Sequence, residues 1–261
     1  MVASLKSTIS AIVTSKKLSV PRHAALFHIT HWKAGSQWIR AVLTGAFGAE
    51  NVVEPLELGQ QLTNGISVGK VYPCSYIIKQ EFDLLDLPKD TRRVVIIRDL
   101  RDTLVSWYFS TRNTHGPMGP IEKKRWFLRR ADEEQGLLYM LEFSLHAAAY
   151  IQRTWFEAGE PVMRLEDFMR DPAAAFGRLF RQHWRMDVPQ DTLEQLVSKH
   201  SFARYSGGRE AGQEDRTSFY RKGARGDWRN HFTPKVLERF KARYNDLLMV
   251  GGYEKGDSWG L

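Results

Sequence analysis

With 261 residues, 43% of them hydrophobic, the chain can fill a substantial core as one large domain or two small ones. A single cysteine, Cys74, excludes an internal disulfide and a cysteine-based zinc site, and no run of about 18 apolar residues is present to cross a membrane. The formal charge of +8, from 38 basic and 30 acidic residues, suits an anionic partner: a nucleotide cofactor, nucleic acid or a membrane surface.

Residues 1–20 carry Lys6, Lys16 and Lys17 but only a short apolar patch at Ala11-Ile12-Val13. A secretory signal is not expected there, the stretch reads as irregular, and a cytoplasmic protein is the default. Residues 24–29 read as a short apolar strand. From Ser36 onward Trp38, Ile39, Val42, Leu43, Ala46 and Phe47 recur at helical spacing. Between strand and helix lies a tight polar turn with Lys33, Gly35 and Ser36. Unpaired backbone N–H groups and the helix dipole make such a turn an anion site. Lys33 adds a full charge, Ser36 and Gln37 add donors, and Trp38 offers a face for a base. The alternative is a buried strand–turn–helix with an incidental lysine. The turn is not a Walker A loop, because the lysine precedes the glycine.

Residues 45–71 read as loop with short elements, and 75–79 as a strand that ends on Lys79. Residues 93–98 form the clearest strand, a β-branched run suited to a buried parallel position. Residues 99–111 read as a helix with Leu104, Val105, Tyr108 and Phe109 on its apolar face, and the Gly and Pro residues of 113–120 break the chain into a loop. A basic surface helix is expected over 122–130, then one long helix over 135–157. A short strand over 161–165 precedes a helix start at Asp171-Pro172. Asp191 and Glu194 resemble a capping box for a helix over 191–199. Residues 206–217, with three glycines among charges, read as a mobile loop. Thr233-Pro234 opens a last helix that Gly251-Gly252 closes.

Strands alternating with helices imply one α/β domain, a central parallel sheet flanked by helices, with ligands at the carboxyl ends of the strands. The turn after Ile29, Lys79 with Glu81, and Arg98 all fall on that edge. Arg98 ends the strongest strand and Ser106 lies on the following helix, so the two could hold one phosphate between them. The competing reading pairs Arg98 with Asp99 or Asp102. Further on, Arg221-Lys222-Gly223-Ala224-Arg225-Gly226-Asp227-Trp228 packs cations and two glycines into a loop that could curl around a ligand, or could be a solvated basic run.

Together these three segments resemble the sulfotransferase family that uses 3′-phosphoadenosine 5′-phosphosulfate (PAPS), close to its cytosolic type. His31-Trp32-Lys33-Ala34-Gly35-Ser36-Gln37-Trp38 is similar to the family's 5′-phosphosulfate loop, and Arg98 to Ser106 to its 3′-phosphate motif. Arg221-Lys222-Gly223 with Gly226-Asp227-Trp228 resembles its R-K-G-x-x-G-D-W signature. The resemblance implies a P-loop-kinase-like fold, PAPS as donor, 3′,5′-bisphosphoadenosine (PAP) as product and no metal. It also implies sulfuryl transfer to a hydroxyl, in preference to an amine, of a small-molecule, sugar-like or lipid-like acceptor. Lys33, Ala34, Gly35, Ser36 and Gln37 would then grip the 5′ end. Trp38 and Phe202 would flank the adenine, and Arg98, Ser106, Arg221, Lys222 and Gly223 would clamp the 3′-phosphate.

Departures are equally specific. The family's K-T-H pattern stands here as Lys79-Gln80-Glu81, so the usual catalytic histidine is missing. Glu81 is the expected base, its pKa raised by burial near Phe82, with Lys79 on the leaving group and Lys33 beside it. Glu81 pairing with Lys79 is the alternative, and His28, His31 and His115 are fallback bases. The family's proline before the loop lysine is Trp32, its adenine-side tyrosine is Leu165, and its C-terminal dimer motif survives only as Arg229, Thr233, Pro234 and Glu238. Competing functions are a nucleotide or nucleoside kinase, a PAPS-binding relative without catalysis, and a nucleic-acid binder built on Lys123-Lys124-Arg125-Trp126 with Arg129-Arg130. For the last, a solvated helix is preferred.

Overall fold

The structure, a computed structural model, describes residues 17–56, 59–116 and 119–260. Lys6, Lys16 and the Ala11-Ile12-Val13 patch therefore lie outside the described residues.

Four strands form one parallel sheet in the order β2-β1-β3-β4: β1 Ala24–Thr30, β2 Lys70–Ser75, β3 Asp90–Ile97 and β4 Val162–Arg164. Central β1 is buried at every position, which explains its unbroken apolar run. Its register on β3 pairs Phe27 with Arg93 and Ile29 with Val95, so alternate side chains leave by opposite faces. Leu26, Val94 and Ile96 enter one core with helix α1 (Ser36–Phe47). Phe27, Ile29, Val95 and Ile97 enter the other, against Phe82 and Trp155.

The second strand lies earlier than expected. Residues 70–75 pair with β1, whereas Tyr76–Ile78 run beyond the sheet. Two steps along β1, from Phe27 to Ile29, face three along β2, from Tyr72 to Ser75. The extra residue is a bulge at Pro73-Cys74 on an edge strand, with Cys74 at φ 55. Parallel pairing overrode the β-branched appearance of Ile77-Ile78. Lys79 instead opens helix α3 (Lys79–Asp83), after the short α2 (Gln60–Thr63).

Helix α4 (Leu100–Phe109) follows β3 and widens into a π-helical turn, Ser110–Thr114. Helix α5 (Gly119–Leu128) is the expected basic helix. The single long helix is in fact two, α6 (Glu133–Phe143) and α7 (Leu145–Glu157). They part at Ser144, whose hydroxyl accepts from Lys124 Nζ at 2.7 Å. The break lets α6 pack on α4 while α7 reaches α3 and α4.

On the other face lie α8 (Leu165–Arg170), α9 (Pro172–Arg178), α10 (Gln190–Lys199) and α11 (Phe202–Tyr205). The capping box is corrected: α10 starts one residue early, Pro189 precedes it, and Asp191 accepts from the adjacent Thr192 N–H at 2.7 Å. Asp171 and Thr233 do cap as expected, the latter opening α12 (Pro234–Val250). Among the described residues no helix is long and apolar enough to cross a membrane.

Candidate active site

The β1–α1 turn carries two left-handed residues, Lys33 at φ 67 and Gly35 at φ 72. A lysine there is uncommon and marks a backbone held for a purpose. Gly35 has a second reason to be glycine: a Cβ would lie 2.6 Å from Leu165 Cδ1. Beneath the turn His31 is wholly buried. Its Nε2 accepts from the Arg98 N–H at 3.1 Å and lies 2.8 Å from the Gln152 amide nitrogen, so Nδ1 carries the proton and donates to the Trp32 carbonyl at 2.9 Å. Burial pushes its pKa down to about 4. His31 is thus a neutral brace, not a base. Buried His28, pushed by burial down to about 3, is no base either.

A cavity of about 630 Å³ opens over this turn. Its lining includes Lys33, Gly35, Ser36, Gln37, Trp38, Arg98, Ser106, Phe202, Arg221, Lys222 and Gly223. Eleven residues that the sequence scatters between 33 and 223 are therefore brought to one space. Ala34 alone of that expected set is buried under the turn rather than lining the cavity.

Arg98 donates from Nη1 to the Lys33 carbonyl at 2.9 Å, tying the first motif to the second. Its buried Nε has no partner among the described residues. The rival reading, an ion pair with Asp99 or Asp102, is overturned. Asp99 is held by Arg101 at 2.7 Å, and Asp102 accepts the N–H groups of Gly226 at 2.6 Å and Trp228 at 3.0 Å. Arg98 therefore lines the cavity without a direct ion pair, although its charge still stabilises the buried carboxylates of Asp102 and Glu166. Lys33 feels it: burial, then Arg98 and Arg221, push its pKa down to about 8.

The third motif is organised by a residue whose role the sequence concealed. Asp227 binds Arg221, Lys222 Nζ at 2.5 Å, Asn230 Nδ2 at 2.9 Å and His231 Nε2 at 3.3 Å. Burial works to raise its pKa, but these hydrogen bonds carry it well below the usual carboxylate range. Glu214 takes the other side of Arg221. Gly223, at φ 63, lies so close to Phe202 that a Cβ would meet the ring at 2.5 Å. The glycine-rich segment 206–217 is irregular, as expected, yet pinned. Arg209 donates to the carbonyls of Tyr220 at 2.7 Å and of Gln213 and Arg221 at 2.8 Å.

The expected catalytic pair stands apart. Lys79 Nζ lies 2.5 Å from Asp83, one helical turn on, and not on Glu81. Glu81 is exposed rather than buried beside Phe82, because α3 turns Phe82 inward and Glu81 outward. It lines a second cavity of about 550 Å³ with Ile78, His146, Tyr150 and Tyr244. Trp32 and Tyr76 line both cavities, their rings stacked 5.0 Å apart, and Trp107 stacks on Trp32 at 5.8 Å. His115 lines the first cavity. Tyr76 was missed because it sat inside the misplaced strand.

A model of the sulfotransferase domain matches residues 70–252, which takes in the Arg98 and Arg221 segments and begins beyond the Lys33 turn. Human sulfotransferase 1C2 is 25% identical across 69% of this chain and 64% of its own length. The 3-alpha-hydroxysteroid sulfotransferase of Cavia porcellus is 25% identical across 88% of this chain and 85% of its own. The chain thus spans less than two thirds of the human relative. Among solved structures, mouse sulfotransferase SULT7A1 complexed with PAP superposes with a TM-score of 0.61 at 20% identity, covering 88% of this chain and 86% of that one. Retinol dehydratase in complex with androsterone and inactive cofactor PAP gives 0.53 at 13% identity, covering 86% and 80%. These likenesses show the fold, and the domain match, which covers well over half of the chain, shows that it belongs to the sulfotransferase family of enzymes.

Proposed function

We propose that this chain transfers a sulfuryl group from PAPS to a hydroxyl, in preference to an amine, of a small or mid-sized acceptor. The carrying observation is Arg98: a strand-end guanidinium with a buried, partnerless Nε, facing a cavity into which Lys33 also projects, while both neighbouring carboxylates are engaged elsewhere. A guanidinium with a free donor at a cavity wall can take an anion in a charge-assisted hydrogen bond.

The residues fit the nucleotide in outline. Lys33, Ser36, Gln37 and the open N-terminus of α1 suit the 5′ end; Ala34 contributes backbone only. Arg98, Ser106, Arg221, Lys222 and Gly223 suit a 3′-phosphate, and the half-buried Trp38 ring and Phe202 suit the adenine. PAPS supplies, when bound, an activated sulfuryl group whose leaving atom is a phosphate oxygen. Lys33 would carry positive charge to that oxygen, and Lys79 could do so on release from Asp83. Glu81, facing the second cavity, would take the acceptor's proton. The acceptor would then occupy that cavity, whose Ile78, Tyr150 and Tyr244 suit an apolar body. The retinol dehydratase neighbour, crystallised with androsterone and PAP, is consistent with a lipid-like molecule beside the nucleotide. A cytoplasmic setting and metal-free chemistry belong to the same reading.

Calorimetric titration with PAP, 5′-AMP and ATP at one salt concentration tests it. PAP should bind at least about tenfold more tightly than 5′-AMP, as a lost charge-assisted phosphate clamp implies. Equal or better magnesium-dependent binding of ATP would move the kinase reading to first place.

A further inference from the structure

We propose that Tyr76 is a positioning residue that aims the Ser36 hydroxyl at the 5′-phosphate of the nucleotide; this rests on the reading above. The Tyr76 hydroxyl lies 2.7 Å from Ser36 Oγ and donates to it. A phenol is the stronger donor of the two hydroxyls, and burial pushes the Tyr76 pKa above its ordinary value, so the proton stays on it. With its lone pair engaged, Ser36 Oγ keeps its own proton for a second partner. Ser36 is the first residue of α1, at the edge of the cavity, where the orphan N–H groups of the helix also point. A serine hydroxyl at a helix start otherwise turns to local backbone groups. Here Tyr76 holds it instead.

Two further contacts make the arrangement rigid. The Tyr76 ring stacks on Trp32, with an interplanar angle of 8°. One residue before Ser75, the bulged Cys74 donates from Sγ to the Ser36 carbonyl at 3.4 Å. The irregularity in β2 therefore brings Cys74 to the carbonyl and Tyr76 to the hydroxyl of the same serine. Because Tyr76 also lines the second cavity, one side chain joins the phosphate site to the space beside Glu81.

Calorimetry on the full chain with Tyr76→Phe, Ser36→Ala and the double variant tests this, using PAP, 5′-AMP and 3′-AMP. Tyr76→Phe keeps the stacking ring and loses the donor. It should weaken PAP and 5′-AMP by about tenfold or more, the size of one hydrogen bond to a charged group, while leaving 3′-AMP unchanged. Ser36→Ala should show the same ligand pattern, and the double variant should bind no more weakly than Ser36→Ala alone. Tyr76→His, which retains a ring and a donor, should recover part of the loss. Should Tyr76→Phe not fold, the ligand pattern of Tyr76→His against Ser36→Ala makes the same comparison. Losses that multiply in the double variant, or that fall equally on 3′-AMP, would overturn the proposal. If the wild-type protein binds no PAP, the functional reading itself fails; if it binds PAP and Tyr76→Phe matches it on all three ligands, only the role of Tyr76 fails.

Discussion

Lys33 sits where its own charge is disfavoured: burial, Arg98 and Arg221 all push against it, and its pKa falls to about 8. In the unfolded chain the ordinary value of 10.5 applies. The folded state therefore releases this proton first as pH rises. The resulting cost to stability is full below about 8 and fades as pH climbs towards the unfolded value. Lys33→Met should accordingly melt at a higher temperature than wild type near neutral pH, while its affinity for PAP drops by about tenfold or more. Wild-type affinity should decline as pH rises through about 8, and the Lys33→Met profile should be flat there. Differential scanning fluorimetry and titration calorimetry across pH 7 to roughly 9.5 read both effects. A variant that melts lower than wild type, or that keeps the wild-type pH profile, would show that Lys33 is not the strained cation of the site.

At the scale of elements, the basic loop between Tyr220 and α12 is shaped by tethers rather than by regular structure. Asp102 on α4 holds the N–H groups of Gly226 and Trp228, Asp227 gathers Arg221 and Lys222, and Arg209 pins the segment before it. Gly223 is the point where this loop passes Phe202. Gly223→Ala adds strain at φ 63 and drives the ring away by way of a 2.5 Å contact. We expect PAP binding to weaken by about tenfold or more, and strain of about 1–2 kcal/mol to lower the melting temperature by roughly 2–8 °C. The loop's residue types and order were readable from the sequence. Its tethers were not, because Asp102 lies more than a hundred residues from the amides it holds. The same limit explains the misplaced second strand. Ile77 and Ile78 have the composition of a strand, yet the partner edge of β1 selected residues 70–75. Ser144 shows it again: nothing in the apolar stripe of 135–157 reveals that the helix breaks there and that α7 reaches α3 as well as α4.

Across the whole molecule, the candidate site is stitched from segments far apart in the chain, with the β1–α1 turn, Arg98 and the Arg221 loop lining one cavity. A ligand bridging them should stabilise the fold as a unit. At about a hundred times its Kd, PAP should add about 2.7 kcal/mol. For a domain of this size that raises the melting temperature by roughly 5–10 °C, whereas 5′-AMP at the same concentration should raise it less. Scanning calorimetry at several ligand concentrations checks the slope; no shift with PAP would mean that these segments do not act on one ligand.

The division between sequence and tertiary structure follows from the range of the forces involved. Hydrophobic periodicity, helix caps and turn residues act within a few positions. The α/β class, β1, β3, the Lys33 turn and the starts of α9 and α12 were therefore legible in the residues themselves. The motif residues were legible through the resemblance of three ordered segments, since each of Lys33, Arg98 and Arg221 by itself also suited a purely structural reading. What only the folded chain decided was which charges lack a direct ion pair and which way each side chain faces. Arg98 keeps its guanidinium available because Asp99 and Asp102 turn to other partners; Glu81 faces water because α3 buries Phe82; and Tyr76 reaches Ser36 because β2 bulges at Cys74. Each of these depends on contacts between distant segments, whose geometry is set by sheet register and helix packing rather than by local sequence.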